Sequence, residues 1–137
     1  MRVFPRVEGL TALNPGRREK AMIKELAEID IKPGHEQAFE EAARQAMRLF
    51  LGSQGCLAFR IHRSIEQPSR YRMFVEWETI EDHMVEFRNS DAFLAWRKLC
   101  GPHFQSPPRV EHLQIIIDSD RDPVEPGPAI ERLVIEG

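Results

Sequence analysis

The sequence predicts a single α+β domain, an antiparallel sheet of four strands with two helices on one face. Three observations carry this. Four stretches alternate apolar and polar residues at every second position, as half-buried strands do. Two longer stretches space their apolar residues at helical intervals, and the second contains a cap signal at Ser90-Asp91. Short turns rich in proline and glycine separate these pieces into the order strand, helix, strand, strand, helix, strand.

Composition sets the frame. At 137 residues the chain is long enough to bury a core without staples. A hydrophobic share of 42% and a charged share of 30% suit a globular protein, and a net charge of −3 gives no electrostatic reason to expect nucleic acid or an anionic membrane as partner. No apolar run approaches the roughly 20 residues that span a bilayer. The two cysteines, Cys56 and Cys100, form no disulfide framework or zinc spacing and read as small buried hydrophobes. With no secretory leader in the sequence, the expected location is the cytoplasm.

Residues 1–21 read as an N-terminal extension, broken by Pro5, Gly9, Pro15 and Gly16 and charged at Arg17 to Lys20; Met22 is read as an alternative start. The domain is expected over 22–117. Its first strand is Ile23 to Ile31, with Ile23, Ala27, Ile29 and Ile31 on one face and Lys24, Glu28 and Asp30 on the other. Glu25 is the exception on the apolar face, Leu26 on the polar one. Pro33-Gly34 ends the strand. The first helix spans about Glu36 to Leu51, where Phe39, Ala42, Ala43, Ala46 and Phe50 form a stripe whose alanines allow close approach to a sheet. Leu57 to Ile65 is the second strand, and Gln67-Pro68-Ser69 turns it into the third, where Tyr71, Met73, Val75 and Trp77 alternate with charged residues. Thr79 and Asp82 form a variant capping box, so a helix opens directly after Trp77. Its apolar positions are Ile80, Met84, Phe87, Phe93, Trp96, Leu99 and Cys100, with a break expected near Asn89. The stiff Gly101-Pro102 and Ser106-Pro107-Pro108 connection leads to a last strand, Val110 to Ile117, in which Leu113, Ile115 and Ile117 alternate against His112 and Gln114. An acidic, proline-rich tail over 118–137 ends in an apolar patch, Ile130 to Ile135, read either as a strand added to a partner subunit or as a disordered end.

This order is the split β-α-β arrangement of ferredoxin-like folds. Two helices cover one face of the sheet. The other carries Arg60, His62, Arg72 and Glu76, with Leu26, Phe74 and Ile116 expected beside them, and a second subunit is the expected cover.

Several stretches, in this order, resemble the antibiotic biosynthesis monooxygenase domain of the dimeric α+β barrel superfamily: IKELAEIDIKPG, HEQAFEEAARQ, GCLAFRIHRS, FVEWETIEDHMVEFRNSDAFLAWR and PPRVEHLQI. The resemblance covers about Met22 to Ile117. It implies a homodimer with sheets packed face to face, and a pocket between each sheet and its own helices. It also implies oxygenation of a small aromatic or quinol-type substrate by dioxygen without metal or flavin. Trp77 matches a tryptophan that such relatives carry at the end of the third strand. Ile29 stands where haem-degrading members have asparagine, and Arg97 where they have the haem-ligating histidine after Ser-Asp-x-Phe; both departures weigh against haem.

The candidate catalytic residues are therefore Trp77, His83 and Arg97. The histidine titrates in the range suited to accepting a phenolic proton, and the arginine suits a phenolate or carboxylate. Phe87, Phe93, Trp96, His103 and His112 are candidates for binding substrate, the two histidines because they flank the proline-rich connection. Each also has an ordinary alternative role, as core aromatic or solvated surface group. His62 is placed on the face turned from the helices. The histidine spacings demand no metal, and none is expected. Three functions follow: a cofactor-free monooxygenase; a non-catalytic module holding a hydrophobic metabolite; or an isomerase, cyclase or lyase using a pocket histidine for proton transfer.

Overall fold

The computed structural model describes residues 23–122 together with Val124, Glu125 and Gly127. The extension over 1–21, Met22 and the patch Ile130 to Ile135 lie outside the described residues. The elements are β1 (Ile23–Asp30), α1 (Glu36–Leu51), β2 (Cys56–Arg63), β3 (Arg70–Trp77), a π-helical segment (Asp82–Phe87), α2 (Asp91–Cys100), a 3₁₀ turn (Gly101–His103) and β4 (Arg109–Gln114). All strand pairs are antiparallel, in the spatial order β2-β3-β1-β4. With both helices against the same face, this is the ferredoxin-like arrangement expected from the sequence.

The core lies where the alternation and the helical stripe meet. Ala27, Ile29 and Ile31 of the first strand region and Tyr71, Met73, Val75 and Trp77 of β3 are buried, as are Phe39, Ala42, Ala43, Ala46 and Phe50 of α1. Phe39 meets Tyr71 edge-on at 4.9 Å, and Phe50 meets Trp96 edge-on at 5.1 Å. Each large side chain so enclosed contributes about 1.5–3 kcal/mol of hydrophobic stabilisation. The small alanines bring α1 close to the sheet, and the Tyr71 hydroxyl, on the α1 side, donates to Glu40 at 2.7 Å.

The expected break in the second helical region is present. The Thr79 hydroxyl accepts the Asp82 N–H at 3.0 Å, and a wide turn follows in which the Arg88 N–H reaches back five residues to the His83 carbonyl at 3.1 Å. The Ser90 hydroxyl then accepts the Phe93 N–H at 3.2 Å and opens α2. The extra residue of a π turn re-aims side chains, a device frequent at functional sites. Here it turns Asp82, His83 and Phe87 inward together.

Two strand readings need correction. β2 ends at Arg63 rather than Ile65, and Ile65 is 89% exposed. Pairing stops because Ser64 and Arg70 close the hairpin, with the Ser64 N–H donating to the Arg70 carbonyl at 2.8 Å. β4 ends at Gln114, and its register pairs His112 with Glu25 and Val110 with Ala27. Val110, His112 and Gln114 therefore share the helix-facing side, and Leu113 stands on the open side. Ile116 lies beyond the strand and is exposed. The β1 register overrides the apolar alternation of this edge strand.

Candidate functional site

A cavity of about 770 Å³ opens between the sheet and the second helical region. Glu25, Ala27 and Met73 form its sheet wall, and His83, Phe87, Phe93 and Trp96 line it from the helical side. The connection from Pro102 to Pro108 closes another wall, with Arg88 and Arg97 also contributing. Proline suits this connection because it needs a fixed path and few donors. The volume suits a ligand of a few fused rings.

The chemistry centres on Glu25, which is 3% exposed. The Trp77 indole N–H donates to its Oε1 at 3.0 Å, and Nε2 of His83 lies 3.3 Å from the same oxygen. The His83 ring stacks on Trp77 with centroids 5.3 Å apart and planes 17° from parallel. On its other side, Nδ1 of His83 is 2.8 Å from Nε2 of the half-buried His112.

Burial raises the Glu25 carboxyl to about 7, opposed by the Trp77 hydrogen bond and the positive charge of Arg88. Burial likewise lowers His83 to about 4, with His112 and Arg88 adding to the effect. At neutral pH the histidine is uncharged, and Glu25 is divided between acid and carboxylate. A carboxyl poised near 7 at a cavity wall is matched to proton abstraction. His83 and His112 continue from it as a chain of polar contacts toward the β4 edge.

Of the residues singled out in the sequence, Trp77, His83 and His112 meet around Glu25, while Phe87, Phe93, Trp96 and Arg97 line the cavity. Arg97 is exposed, and its guanidinium carbon lies 5.8 Å from the centre of the Phe93 ring. His103 turns away onto His35, with Nδ1 atoms 3.1 Å apart, outside the cavity. His62 packs edge-on against Phe74 on the open sheet face. Ile29 is fully buried. Glu25 itself was missing from the candidates; its signal was a lone acid at an apolar position of β1. Burial raises the thiols of Cys56 and Cys100 to about 11 and about 12, so neither is a ready nucleophile. Among the described residues no three His, Cys, Asp or Glu side chains converge as a metal site. No helix among them is long and apolar enough to cross a membrane.

Comparison with known proteins agrees with this architecture. Residues 22–99 match the antibiotic biosynthesis monooxygenase family. The chain is 39% identical over 93 residues to the uncharacterized protein YczJ of Bacillus subtilis, covering 68% of this chain and 98% of that one. A crystal structure from Bordetella bronchiseptica, whose designation as an antibiotic biosynthesis monooxygenase is itself provisional, superimposes with a TM-score of 0.70 at 47% identity, covering 71% of this chain and 99% of that one. A similarly designated protein of Nitrosomonas europaea shares the fold at 18% identity, with a TM-score of 0.62 and coverage of 70% and 92%. The chain belongs to the antibiotic biosynthesis monooxygenase family.

Proposed function

We propose that this protein is a cofactor-independent monooxygenase acting on a flat quinol- or anthrone-type substrate in the cavity beside Glu25. The observation that carries the reading is the buried Glu25 carboxyl, raised to about 7 and held by Trp77 at an aromatic-lined cavity. Glu25 takes the acidic proton of the substrate, leaving an electron-rich carbanion. That anion transfers an electron to dioxygen, and the radical pair collapses to a carbon–oxygen bond. The peroxide then gains the proton, its O–O bond breaks, and water leaves as the carbonyl forms. One methylene and one dioxygen give one ketone and one water, so the substrate supplies every electron. The role of the protein is to place a base, exclude water and hold the ring system.

Oxygen uptake by purified protein with a panel of quinols and anthrones tests this. Uptake well above that of heat-killed protein is expected; its absence across the panel removes the reading. The Glu25–His83–His112 path favours a second reading, since proton transfer alone serves an isomerase, cyclase or lyase. Product formation that persists under strict exclusion of oxygen selects that one. Ligand-dependent thermal stabilisation without turnover instead marks a binding module.

The protein is further proposed to work as a homodimer joined through the open sheet face. Leu26 and Phe74 are direct cross-strand partners on that face, which neither helix covers, and Leu113 is 38% exposed beside them. Pairing with a second copy removes this apolar strip from water.

A further inference from the structure

We propose that Arg88 and Arg97 form an anion clamp on the cavity, and that the substrate is an aromatic acid whose carboxylate is held there while its reacting carbon faces Glu25. This rests on the reading of the cavity as a substrate site and adds to it the charge and orientation of the ligand.

Both arginines line the cavity, one leaving the π-helical segment and the other toward the C-terminal end of α2. Their guanidinium carbons lie 5.4 Å and 5.8 Å from the centre of the same Phe93 ring, so both cations lie against one aromatic side chain of the cavity lining. Elsewhere in the protein arginines hold carboxylates: Arg70 with Glu28 and Asp30, Arg72 with Glu28, Arg109 with Glu28 and Asp30, Arg63 with Glu40. Among the described residues neither Arg88 nor Arg97 has a carboxylate at ion-pair distance; the side-chain acceptor found for Arg88 is the Met84 sulfur, at 3.7 Å. Two cations on one cavity lining, neither held by a carboxylate at ion-pair distance, favour a bound anion. Guanidinium groups suit a carboxylate because its two oxygens match their paired N–H donors.

Charge also fixes orientation. The buried carboxyl of the cavity is Glu25, so an anionic group is repelled from that wall and drawn to the arginines, whereas an acidic carbon is not. The clamp therefore presents the uncharged part of the ring system to the base.

The test uses the full chain and two probes of equal shape, an anthraquinone carboxylate and the corresponding neutral carboxamide, titrated by calorimetry at two salt concentrations. The carboxylate is expected to bind about tenfold or more tightly than the amide at low salt, with the advantage shrinking as salt rises. In the double variant Arg88→Gln, Arg97→Gln the two probes are expected to bind alike. Equal affinities in the unaltered protein, no binding of the acid, or an undiminished preference in the double variant overturns the clamp. Both side chains are exposed, so the variants should fold, and circular dichroism verifies this. Oxygen uptake is read separately: a protein that oxidises neutral quinols but does not prefer the acid keeps its reaction and loses the clamp.

Discussion

Glu25 and Trp77 lie on adjacent strands, two residues out of direct register, and the Trp77 indole N–H donates to the Glu25 carboxylate at 3.0 Å. Diagonal neighbours on one sheet face are within reach of a long acid and an aromatic ring. The contact places Trp77 behind the cavity wall, where its indole holds the Glu25 carboxyl. It holds one carboxyl oxygen, and in the proposed function the other takes the substrate proton. Trp77 is fully buried; in the proposed function it positions Glu25 and does not itself meet the substrate.

Glu25→Gln keeps a carbonyl for the Trp77 N–H and removes the proposed base. Loss of about 10²–10⁴-fold in kcat is expected, with folding intact. In the unaltered protein kcat/KM should rise with pH through an apparent pKa near the value of about 7 set for Glu25 by burial, because the ionised form accepts the proton. Steady-state rates from pH 5 to 9 check both. A glutamine variant with near-normal turnover removes Glu25 from the chemistry.

Stability should carry an opposed pair of pH effects. Folding raises Glu25 from 4.5 to about 7, so its contribution falls as pH rises through that window. Folding lowers His83 from 6.5 to about 4, so its contribution falls as pH drops through that one. Between 4.5 and 6.5 the native state holds one proton more at Glu25 and one fewer at His83, and the slopes cancel. Glu25→Gln should expose the histidine slope, with stability rising by about 2–3 kcal/mol as pH goes from 4 to 6.5. His83→Gln should show the reverse, losing stability from 4.5 to 7. Burial is the main cause of the His83 shift, and the neighbours that add to it, His112 and Arg88, remain in each variant. Urea melts across this range give the slopes; parallel flat profiles in all three proteins contradict the scheme.

Much of the fold is legible in the sequence, for local reasons. The α1 stripe and its flanking Pro33-Gly34 and Gly52 bound a helix without any tertiary information, and Ser90 announces α2 by its own hydroxyl. The site is less legible because its contacts are long-range. Glu25 stands out on β1 only as an exception to a pattern, and its partners Trp77 and His83 are 52 and 58 residues away. Whether His112 faces the helices depends on how β4 registers against β1, which the apolar run Leu113, Ile115, Ile117 does not reveal. The π turn that brings His83 inward has no residue signature comparable to a cap.

Gly55 anchors that turn. It has φ +77, and a Cβ there would lie 2.0 Å from the Asp82 carboxylate, which accepts the Gln54 amide at 2.9 Å. The Gly55 carbonyl also accepts the Glu78 N–H at 2.8 Å, tying the end of β3 to the start of β2. Gly55→Ala combines left-handed backbone strain with displacement of Asp82, and a loss of about 3 kcal/mol is expected. Because Asp82 precedes His83, activity should fall in the surviving folded fraction as well. A urea midpoint within error of the parent would show that the turn relaxes without cost.

The open sheet face gives the last expectation. Phe74 pairs across strands with Leu26, while Lys24 lies with its ammonium 5.6 Å from the Phe74 ring centre and Arg60 and Glu76 stand at 3.6 Å nearby. A two-fold contact uses the same patch of both copies, so a charge introduced at Phe74 enters the interface twice. Phe74→Glu should convert a dimer into a monomer, raising the dissociation constant by about 100-fold or more through lost apolar burial and buried like charge. Light scattering coupled to size exclusion measures this, with twice the chain mass expected for the parent. The substitution lies on the face away from Glu25 and the cavity, so binding of an aromatic probe should survive in the monomer if each cavity is built from one chain. A parent that runs as a monomer at micromolar concentration removes the sheet-face dimer, whereas a dimer that persists in Phe74→Glu places the contact on another surface.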